Sequence, residues 1–419
     1  MKKRIFIANV ALLLVADIAL TGYILNKRNK FNNEVPVFTK PTISQEQTVQ
    51  TEPTKLDYII EEETEIPEVT EEPVIEEKKE IIKQEVGVIK NDTIAYATPS
   101  EYGLEIGKLS IGENAYKILS DASGYDLVRN DNNAIFFIKN EDITYTGEEV
   151  EAEYKIERKN DIVLTTTKLF FRTGPSTDYE SIRLLDEETE LQVLGEAEDN
   201  WLLVHLNGEV GFVKKDYTYS VLDKINETYP DLNLENLEVK KVVRIKEGIN
   251  YRKGPSTDDE IIREFSKAET MRVLGENEEW YFGITDDYEI GFVSKSYATD
   301  IEGIFIDTDI LTQRMRMYNN NQLMYYTRVK TGKDSTPTTE GYFKIDWMGE
   351  HANIVGDIVV NYWMHYYDGE GIHDFEACTS YGENDYHYAG SNGCTRTPLE
   401  NVAKIYQKAS LGTPVIVHK

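Results

Sequence analysis

The sequence predicts a mainly β protein built from several domains, with small β-barrels in the middle of the chain and a β-rich domain at its C-terminal end. Three observations lead to this prediction. A sequence repeat recurs at a spacing of 80 residues. Short runs rich in apolar residues are separated by turns that contain Gly and Pro. The apolar run that predicts a helix lies within the first 30 residues.

Residues 1–30 are predicted to form a membrane anchor. Residues 2–4 are basic, and the mostly apolar run over about 5–25 is long enough to span a bilayer as a helix. Asp17 interrupts this run at a cost of about 2.5 to 3.5 kcal/mol, which the surrounding Leu, Ile and Val residues offset. A cleaved signal peptide is the alternative, with residues 19–21 as the best cleavage pattern. Basic residues flank both ends of the run, so charge does not fix its orientation.

Residues 31–86 are predicted to form a disordered, acidic linker. The segment is dense in Glu, Thr and Pro, and its isolated Ile and Val residues offer too little apolar surface to offset the entropy of ordering. Like charges should keep it extended. The net charge of the whole chain is −30, which argues against nucleic-acid binding.

The repeat defines two domains, over residues 161–222 and 239–300. The sequence FRTGPSTD at 171–178 recurs as YRKGPSTD at 251–258, and VLGE at 193–196 recurs at 273–276. A GFV motif follows in both copies, after Trp201 in the first and Trp280 in the second. Each copy should contain about five short strands, too few residues for a sandwich but enough for a small barrel.

These motifs resemble bacterial SH3-like domains, which commonly attach enzymes to the cell wall. A third, divergent copy is predicted over 87–147, where similar elements occur in the same order and Tyr125 takes the place of the Trp. Aromatic residues of such barrels either form an exposed groove for peptide or glycan or belong to the core. The residues for which both alternatives stand are Trp201, Tyr251, Trp280 and Tyr281.

The chemistry is predicted from two segments near the C-terminus, GIHD at 371–374 and SNGCTR at 391–396. A thiol is mostly protonated near neutral pH, so a catalytic cysteine needs an imidazole within hydrogen-bond reach to hold it as thiolate. His373 is the candidate base for Cys394. Gly393 lacks a Cβ and would allow backbone amides to approach a developing oxyanion. The pattern predicts acyl transfer through a thioester, and Cys378, which lacks such a setting, is predicted to be structural.

The same residues resemble the signature of the L,D-transpeptidases, the YkuD-like catalytic domain, in which a His is followed after a loop by Ser/Thr-His-Gly-Cys. Seventeen residues, 374–390, separate His373 from Ser391, and Asn392 stands where the family has its second His. The resemblance covers the C-terminal domain predicted over 301–419. Its further matches are a TGK turn at 331–333, a Pro- and Gly-containing stretch at 336–343, and strands at 304–307, 322–326, 360–364 and 411–417.

The resemblance implies a role for each residue of the site. Cys394 would be the nucleophile and His373 the general base and acid, steadied by a backbone carbonyl near Asp374. Amides of Gly393 and Cys394 would form the oxyanion site, in the loop that also contains Ser391 and Asn392. Arg396 could hold a substrate carboxylate bidentately. The expected substrate-binding residues are Arg396, Tyr362 and Trp363.

The reaction that the resemblance implies is cross-linking of peptidoglycan stem peptides, with release of D-alanine. If water replaces the acceptor amine, the protein is instead an L,D-carboxypeptidase, and if Asn392 disables the site, it is a cell-wall-binding protein. An NlpC-type peptidase is disfavoured because its Cys precedes its His. The predicted partners are stem peptides, the wall and the membrane, and the predicted location is the cell membrane with the C-terminal part outside.

No cofactor is expected. No metal is expected either, because the histidines other than His373 lack metal-ligand spacing. Of these, His351 and His365 are candidates for a secondary role. The full set is His205, His351, His365, His387 and His418.

Overall fold

The computed structural model describes residues 82–356, 358–382 and 384–419. The membrane anchor predicted over 1–30 and most of the linker predicted over 31–86 lie outside these residues. Within the described residues, no helix is long and apolar enough to cross a membrane.

The first sheet domain is antiparallel and begins within the predicted linker. Residues 83–86, predicted as linker, belong to its first strand, and the sheet extends beyond the predicted bounds of 87–147 at both ends. Lys83 and Glu85 pair through their backbones with Glu151 and Glu149, and ladder hydrogen bonds form whatever the charge of the side chains. The strands are β1 (Lys83–Ile89), β2 (Thr93–Tyr96), β3 (Glu105–Leu109), β4 (Asn114–Ser120), β5 (Tyr125–Arg129), β6 (Ile135–Lys139) and β7 (Ile143–Glu151).

The second sheet domain contains the first copy of the sequence repeat. It is followed by helix α1 (Val221–Thr228), which was not predicted from the sequence. Ser220 is the N-cap of this helix, because its side-chain oxygen accepts a hydrogen bond from the Asp223 amide at 3.0 Å. The strands are β8 (Ile156–Thr165), β9 (Leu169–Arg172), β10 (Ser181–Leu185), β11 (Glu190–Ala197), β12 (Trp201–Leu206), β13 (Glu209–Lys214) and β14 (Thr218–Ser220).

The third sheet domain has the same strand order as the other two. Numbered within each domain, the order is 3-2-6-5-4-1-7 in all three, so the divergent copy shares the fold of the repeats. Each domain has seven strands where about five were expected, because the leading strand precedes the repeat motif and, in the second and third domains, the last strand has only three residues. The strands are β15 (Lys241–Ile245), β16 (Ile249–Arg252), β17 (Ile261–Phe265), β18 (Thr270–Glu276), β19 (Trp280–Ile284), β20 (Ile290–Ser294) and β21 (Ala298–Asp300).

The four aromatic residues considered for a binding groove are core residues. Tyr251 is fully buried, and Trp201, Trp280 and Tyr281 are each at most 8% exposed. Phe170 and Tyr217 of the second sheet domain are exposed, at 49% and 51%. They line a groove of about 520 Å³, with Trp201 at its side.

The C-terminal domain consists of two sheets. A five-stranded sheet has the order β24-β23-β22-β30-β25, with β30 parallel to β22, and a four-stranded sheet has the order β26-β27-β28-β29, with β29 parallel to β28. The strands are β22 (Ile304–Asp309), β23 (Arg314–Asn319), β24 (Gln322–Arg328), β25 (Gly341–Lys344), β26 (Trp347–Val355), β27 (Ile358–Tyr367), β28 (Glu370–His373), β29 (Thr395–Arg396) and β30 (Pro414–His418).

The core of the C-terminal domain lies between these sheets and helix α3. Helices α2 (Tyr386–Ala389) and α3 (Leu399–Lys408) flank the short strand β29. Helix α3 contributes Val402 and Ile405 to the core, where they join Met364 of β27 and Ile372 of β28. This packing fixes the two strands that carry the candidate catalytic residues.

A buried ionic cluster joins the second and third sheet domains to the C-terminal domain. The carboxylate of Glu190 in β11 lies 3.1 Å from Arg272 in β18 and 2.7 Å from Arg316 in β23. Arg316 also lies 2.6 Å from Asp286, and the His418 ring lies 3.2 Å from Asp307. We call these six residues the junction cluster. Each is at most 4% exposed, so the three domains share one charged interior.

Candidate active site

The two predicted catalytic residues lie on neighbouring strands. Strands β28 and β29 are parallel, with Ile372 opposite Thr395 and His373 opposite Arg396. Cys394 directly precedes β29, so it lies beside the strand that ends at His373. The thiol contacts the backbone immediately before β28, with its Sγ 3.8 Å from the Gly369 carbonyl oxygen.

The orientation of the His373 ring is fixed by a backbone carbonyl. Nδ1 lies 2.6 Å from the Asp374 carbonyl oxygen, and because a carbonyl only accepts, Nδ1 carries the proton. The Asp374 carboxylate in turn accepts hydrogen bonds from Asn361 Nδ2 at 2.8 Å and from the Tyr362 amide at 2.9 Å. Nε2 is therefore the unprotonated nitrogen, as a general base requires.

The surroundings of both residues favour their neutral forms. Burial lowers the pKa of His373, and the positive charge of Arg396 acts in the same direction. Burial raises the pKa of the Cys394 thiol, and the carboxylate of Glu370 adds to this effect. The sequence predicted a thiolate held by the imidazole. This environment favours a thiol that gives up its proton as it attacks.

Ser391 holds the turn that precedes the thiol. Its hydroxyl donates to the Cys394 carbonyl oxygen at 2.5 Å and accepts from the Gly393 amide at 3.1 Å. The Gly393 amide, expected in the oxyanion site, is thus already used within the turn. Among the residues that the structure describes, the Cys394 amide has no acceptor, so it is the available donor.

Gly393 is required by backbone conformation and by space. Its φ is +115°, a region that side chains rarely adopt, and a Cβ there would lie 3.1 Å from Glu370 Oε1. The sequence predicted a glycine that allows backbone amides to approach an oxyanion. The nearby carboxylate of Glu370 is a further reason for a glycine at this position.

The TGK segment supports the loop from the other side. The Ser391 amide donates to the Thr331 carbonyl oxygen at 2.8 Å, and its carbonyl oxygen accepts from the Lys333 amide at 3.1 Å. The Thr336 hydroxyl donates to the same carbonyl oxygen at 3.1 Å. The TGK segment therefore has a structural role, because its contacts position the loop that contains Cys394.

Asn392, the departure from the family pattern, lies at the surface. Its side-chain oxygen accepts a hydrogen bond from Lys333 Nζ at 2.8 Å, whereas His373 is buried. The substitution therefore leaves the contacts that orient His373 unchanged.

The three expected substrate-binding residues differ in position. The Arg396 guanidinium stacks on Phe375 at 4.4 Å, beside the site. The Trp363 ring lies 5.4 Å from the His373 ring and is 5% exposed, so it backs the imidazole. Tyr362 points to the opposite face of β27 and packs on Tyr406 at 5.1 Å, so the structure does not bring it into the site.

Sequence reasoning missed Glu370 and Thr339. The Glu370 carboxylate accepts hydrogen bonds from the Thr339 amide at 3.0 Å and from its hydroxyl at 2.7 Å. A lone Glu in a strand belongs to no sequence motif. Its position three residues before His373 was the one clue in the sequence. Of the histidines considered for a secondary role, His365 contacts Asp346 at 2.5 Å, and His351 is exposed.

Within the described residues, one group could hold a metal by geometry, and it lies outside this site. The ligand atoms of Asp286, Asp307 and His418 are within 4.8 Å of one another. Burial opposes a charged His418, but the carboxylate of Asp307 outweighs it and the pKa rises to about 10. With Arg316 also 2.6 Å from Asp286, a protonated imidazole already provides the positive charge that these carboxylates need.

Comparison with known families agrees with the fold and the site. Residues 303–417 match the model of the L,D-transpeptidase catalytic domain, and residues 167–219 match that of the bacterial SH3 domain. The protein thus contains an L,D-transpeptidase catalytic domain preceded by a bacterial SH3 domain. The chain belongs to the L,D-transpeptidase family.

Solved structures similar to the chain include several of this family. The NMR structure of the catalytic domain of an E. faecium L,D-transpeptidase is 32% identical, over 28% of this chain and 98% of that one, with a TM-score of 0.27. A crystal structure of an Enterococcus faecium L,D-transpeptidase mutant is 20% identical, over 51% and 93%, with a TM-score of 0.28. An L,D-transpeptidase from Mycobacterium smegmatis is 18% identical, over 44% and 99%, with a TM-score of 0.25. No curated protein matches the chain.

Proposed function

We propose that the protein is a peptidoglycan L,D-transpeptidase with Cys394 as its nucleophile. The pairing of β28 with β29 carries the proposal, because it sets Cys394 beside a histidine whose Nδ1 is committed to the Asp374 carbonyl. The family match over residues 303–417 supports the same class of reaction.

In the first half of the reaction, His373 Nε2 takes the thiol proton as Sγ attacks the carbonyl carbon of the third residue of a tetrapeptide stem. The C–S bond forms and the carbonyl oxygen becomes an oxyanion, to which the Cys394 amide donates. His373 then gives its proton to the leaving nitrogen, the C–N bond breaks, and D-alanine leaves. A thioester remains on Cys394.

In the second half, the side-chain amine of the third residue of an acceptor stem attacks the thioester carbon. His373 Nε2 accepts the proton that the amine loses, the new C–N bond forms, and the C–S bond breaks. The proton then returns from His373 to Sγ. The product is a cross-link between two third-position residues.

We further propose that the protein acts outside the cell, anchored to the membrane by residues 5–25 and bound to the wall through its SH3-like domains. The basic start and apolar run of the sequence support the anchor, and the bacterial SH3 match supports wall binding. Holding the enzyme in the wall would raise the local concentration of stem peptides.

The test is to incubate the protein with tetrapeptide muropeptides and to follow protein and products by intact mass spectrometry. A protein that begins at residue 77 keeps the whole of β1 (Lys83–Ile89), whereas a start at residue 87 would remove half of it. Cys394→Ala is the control.

An adduct at Cys394 with loss of D-alanine and formation of dimers is expected. An adduct that yields only tripeptide would indicate the L,D-carboxypeptidase. A folded protein that forms no adduct would overturn both activities and leave the wall-binding role.

A further inference from the structure

The surface beside the nucleophile carries two side chains that present only hydrogen-bond donors. Lys333 Nζ donates one of its three hydrogens to Asn392 Oδ1 at 2.8 Å. Two ammonium hydrogens and the two hydrogens of the Asn392 amide nitrogen remain for a ligand. Because the amide oxygen faces Lys333, the acceptor end of Asn392 is already occupied.

No carboxylate in the described part of the chain forms a salt bridge with Lys333. The adjacent Asp334 is engaged elsewhere, since His387 Nδ1 lies 2.8 Å from its Oδ1. In a protein of net charge −30, an ammonium at this position provides local positive charge where an anionic substrate would approach.

The pair is close to Cys394 along the backbone. Asn392 precedes Cys394 by two residues, so their Cα atoms are at most about 7.6 Å apart. Backbone hydrogen bonds of Ser391 with Thr331 and Lys333 hold the two segments that carry Lys333 and Asn392 side by side. In a peptide whose last residue is the leaving group, the terminal carboxylate carbon lies three bonds from the scissile carbonyl carbon, about 4.3 Å along the bonds.

We propose that Lys333 and Asn392 bind the terminal carboxylate of the acyl donor and so select peptides that end one residue after the scissile bond. This inference rests on the proposed function, and it assigns the donor's carboxylate to residues other than Arg396. Asn392 then has a purpose at the family's histidine position, because its oxygen fixes Lys333 while its nitrogen faces the ligand.

The test measures binding without turnover, in the Cys394→Ala protein. Two ligands are compared by calorimetry: a tetrapeptide stem with a free D-alanine carboxylate and the same peptide with a terminal primary amide. A charge-assisted contact predicts roughly tenfold tighter binding of the free acid. Lys333→Met should bring the ratio of the two dissociation constants close to one.

Asn392→Asp is the matched variant. Its carboxylate can still accept from Lys333, so the local fold is kept, but the two amide hydrogens are lost and the ammonium is neutralised. The ratio should again fall close to one, or invert. Lys344→Met, at an exposed lysine of β25, should leave the ratio unchanged.

The inference is overturned if the ratio in the parent protein is already near one, or if Lys333→Met leaves it intact. A ratio lost only in Arg396→Gln would assign the carboxylate to Arg396 instead. Failure of the proposed function is a separate outcome, because it appears as absence of an adduct in the wild-type protein whatever the binding ratio.

Discussion

At the scale of single residues, the candidate site combines His373, whose ring orientation is fixed, with Cys394, whose thiol is buried. The Asp374 carbonyl fixes Nδ1 of His373, and burial lowers the pKa of the imidazole and raises the pKa of the thiol. In the proposed reaction, these shifts favour transfer of the thiol proton to His373 during the attack of Sγ rather than before it.

This arrangement predicts the pH dependence of thiol reactivity. Because burial raises the pKa of Cys394, the thiolate fraction should be small at neutral pH and rise on the alkaline side. Iodoacetamide alkylation of Cys394, followed by intact mass in a Cys378→Ala background, should accelerate steadily with pH. A rate that stays constant down to pH values near 5 would indicate a thiolate–imidazolium pair and contradict the prediction.

Several residues of the site could be predicted from the sequence because their chemistry is specific. A histidine and a Gly-flanked cysteine at family spacing leave few alternatives. Tyr362 and Trp363 show the limit, because adjacent strand residues face opposite sides and the sequence does not say which side is the core. Glu370 gave no signal, since its role depends on contacts with Thr339 and Gly393 that are remote in sequence.

At the scale of elements, the hydroxyl of Ser391 holds the loop before Cys394 through contacts within the loop. Ser391 is 2% exposed and joins the Gly393 amide to the Cys394 carbonyl. Its backbone is tied to the TGK segment on the other side. The loop is therefore held from within and from outside.

Ser391→Ala should weaken this loop. The buried Gly393 amide would lose its acceptor, which costs about 1–3 kcal/mol, and the acyl-enzyme should form more slowly. Thermal unfolding and the rate of adduct formation are the measurements. Ser335→Ala, an exposed serine of the neighbouring segment, is the control, and equal behaviour of the two variants would contradict the assigned role.

The repeated elements were predicted more completely than the segments between them. Gly-Pro turns and alternating strands mark each copy, and the divergent copy has the same strand order. Helix α1 was missed because its eight residues are too few for a clear periodic pattern. Trp201 and Trp280 could not be assigned to core or groove, since burial depends on the partner strands.

At the scale of the whole molecule, the SH3-like domains and the C-terminal domain are in contact with one another rather than independent. The junction cluster joins β11, β18 and β23 through buried charges. Such residues look like surface residues in a sequence, because Arg and Glu are rarely buried unless paired. The junction therefore could not be predicted.

Arg316→Met should be strongly destabilising. It leaves Glu190 and Asp286 as buried carboxylates that have lost a partner, at a cost of about 3–5 kcal/mol. Denaturant unfolding gives the free energy. Arg183→Met is the matched control, because the contact of Arg183 with Glu400 also joins the second sheet domain to the C-terminal domain but is partly exposed. The control should cost about 1 kcal/mol or less.

The junction cluster also predicts how stability depends on pH. The carboxylate of Asp307 outweighs burial and raises the pKa of His418 to about 10, above its value of about 6.5 in the unfolded chain. The stabilisation is complete below about pH 6.5 and is lost as the pH rises through about 10. Urea unfolding across this range should show falling stability, and His418→Gln should flatten the slope. An unchanged slope in the variant would contradict the prediction.

The position of β30 has a consequence for biosynthesis. This strand lies between β22 and β25, and its pairing with β22 joins residues more than 100 positions apart. The ribosome must therefore deliver the whole stretch from residue 304 to 418 before the central pair can form. Contacts so distant in sequence close slowly. The Cys394 thiol lies near the C-terminal end of this stretch, so it is both translated and organised late, when the rest of its scaffold has emerged.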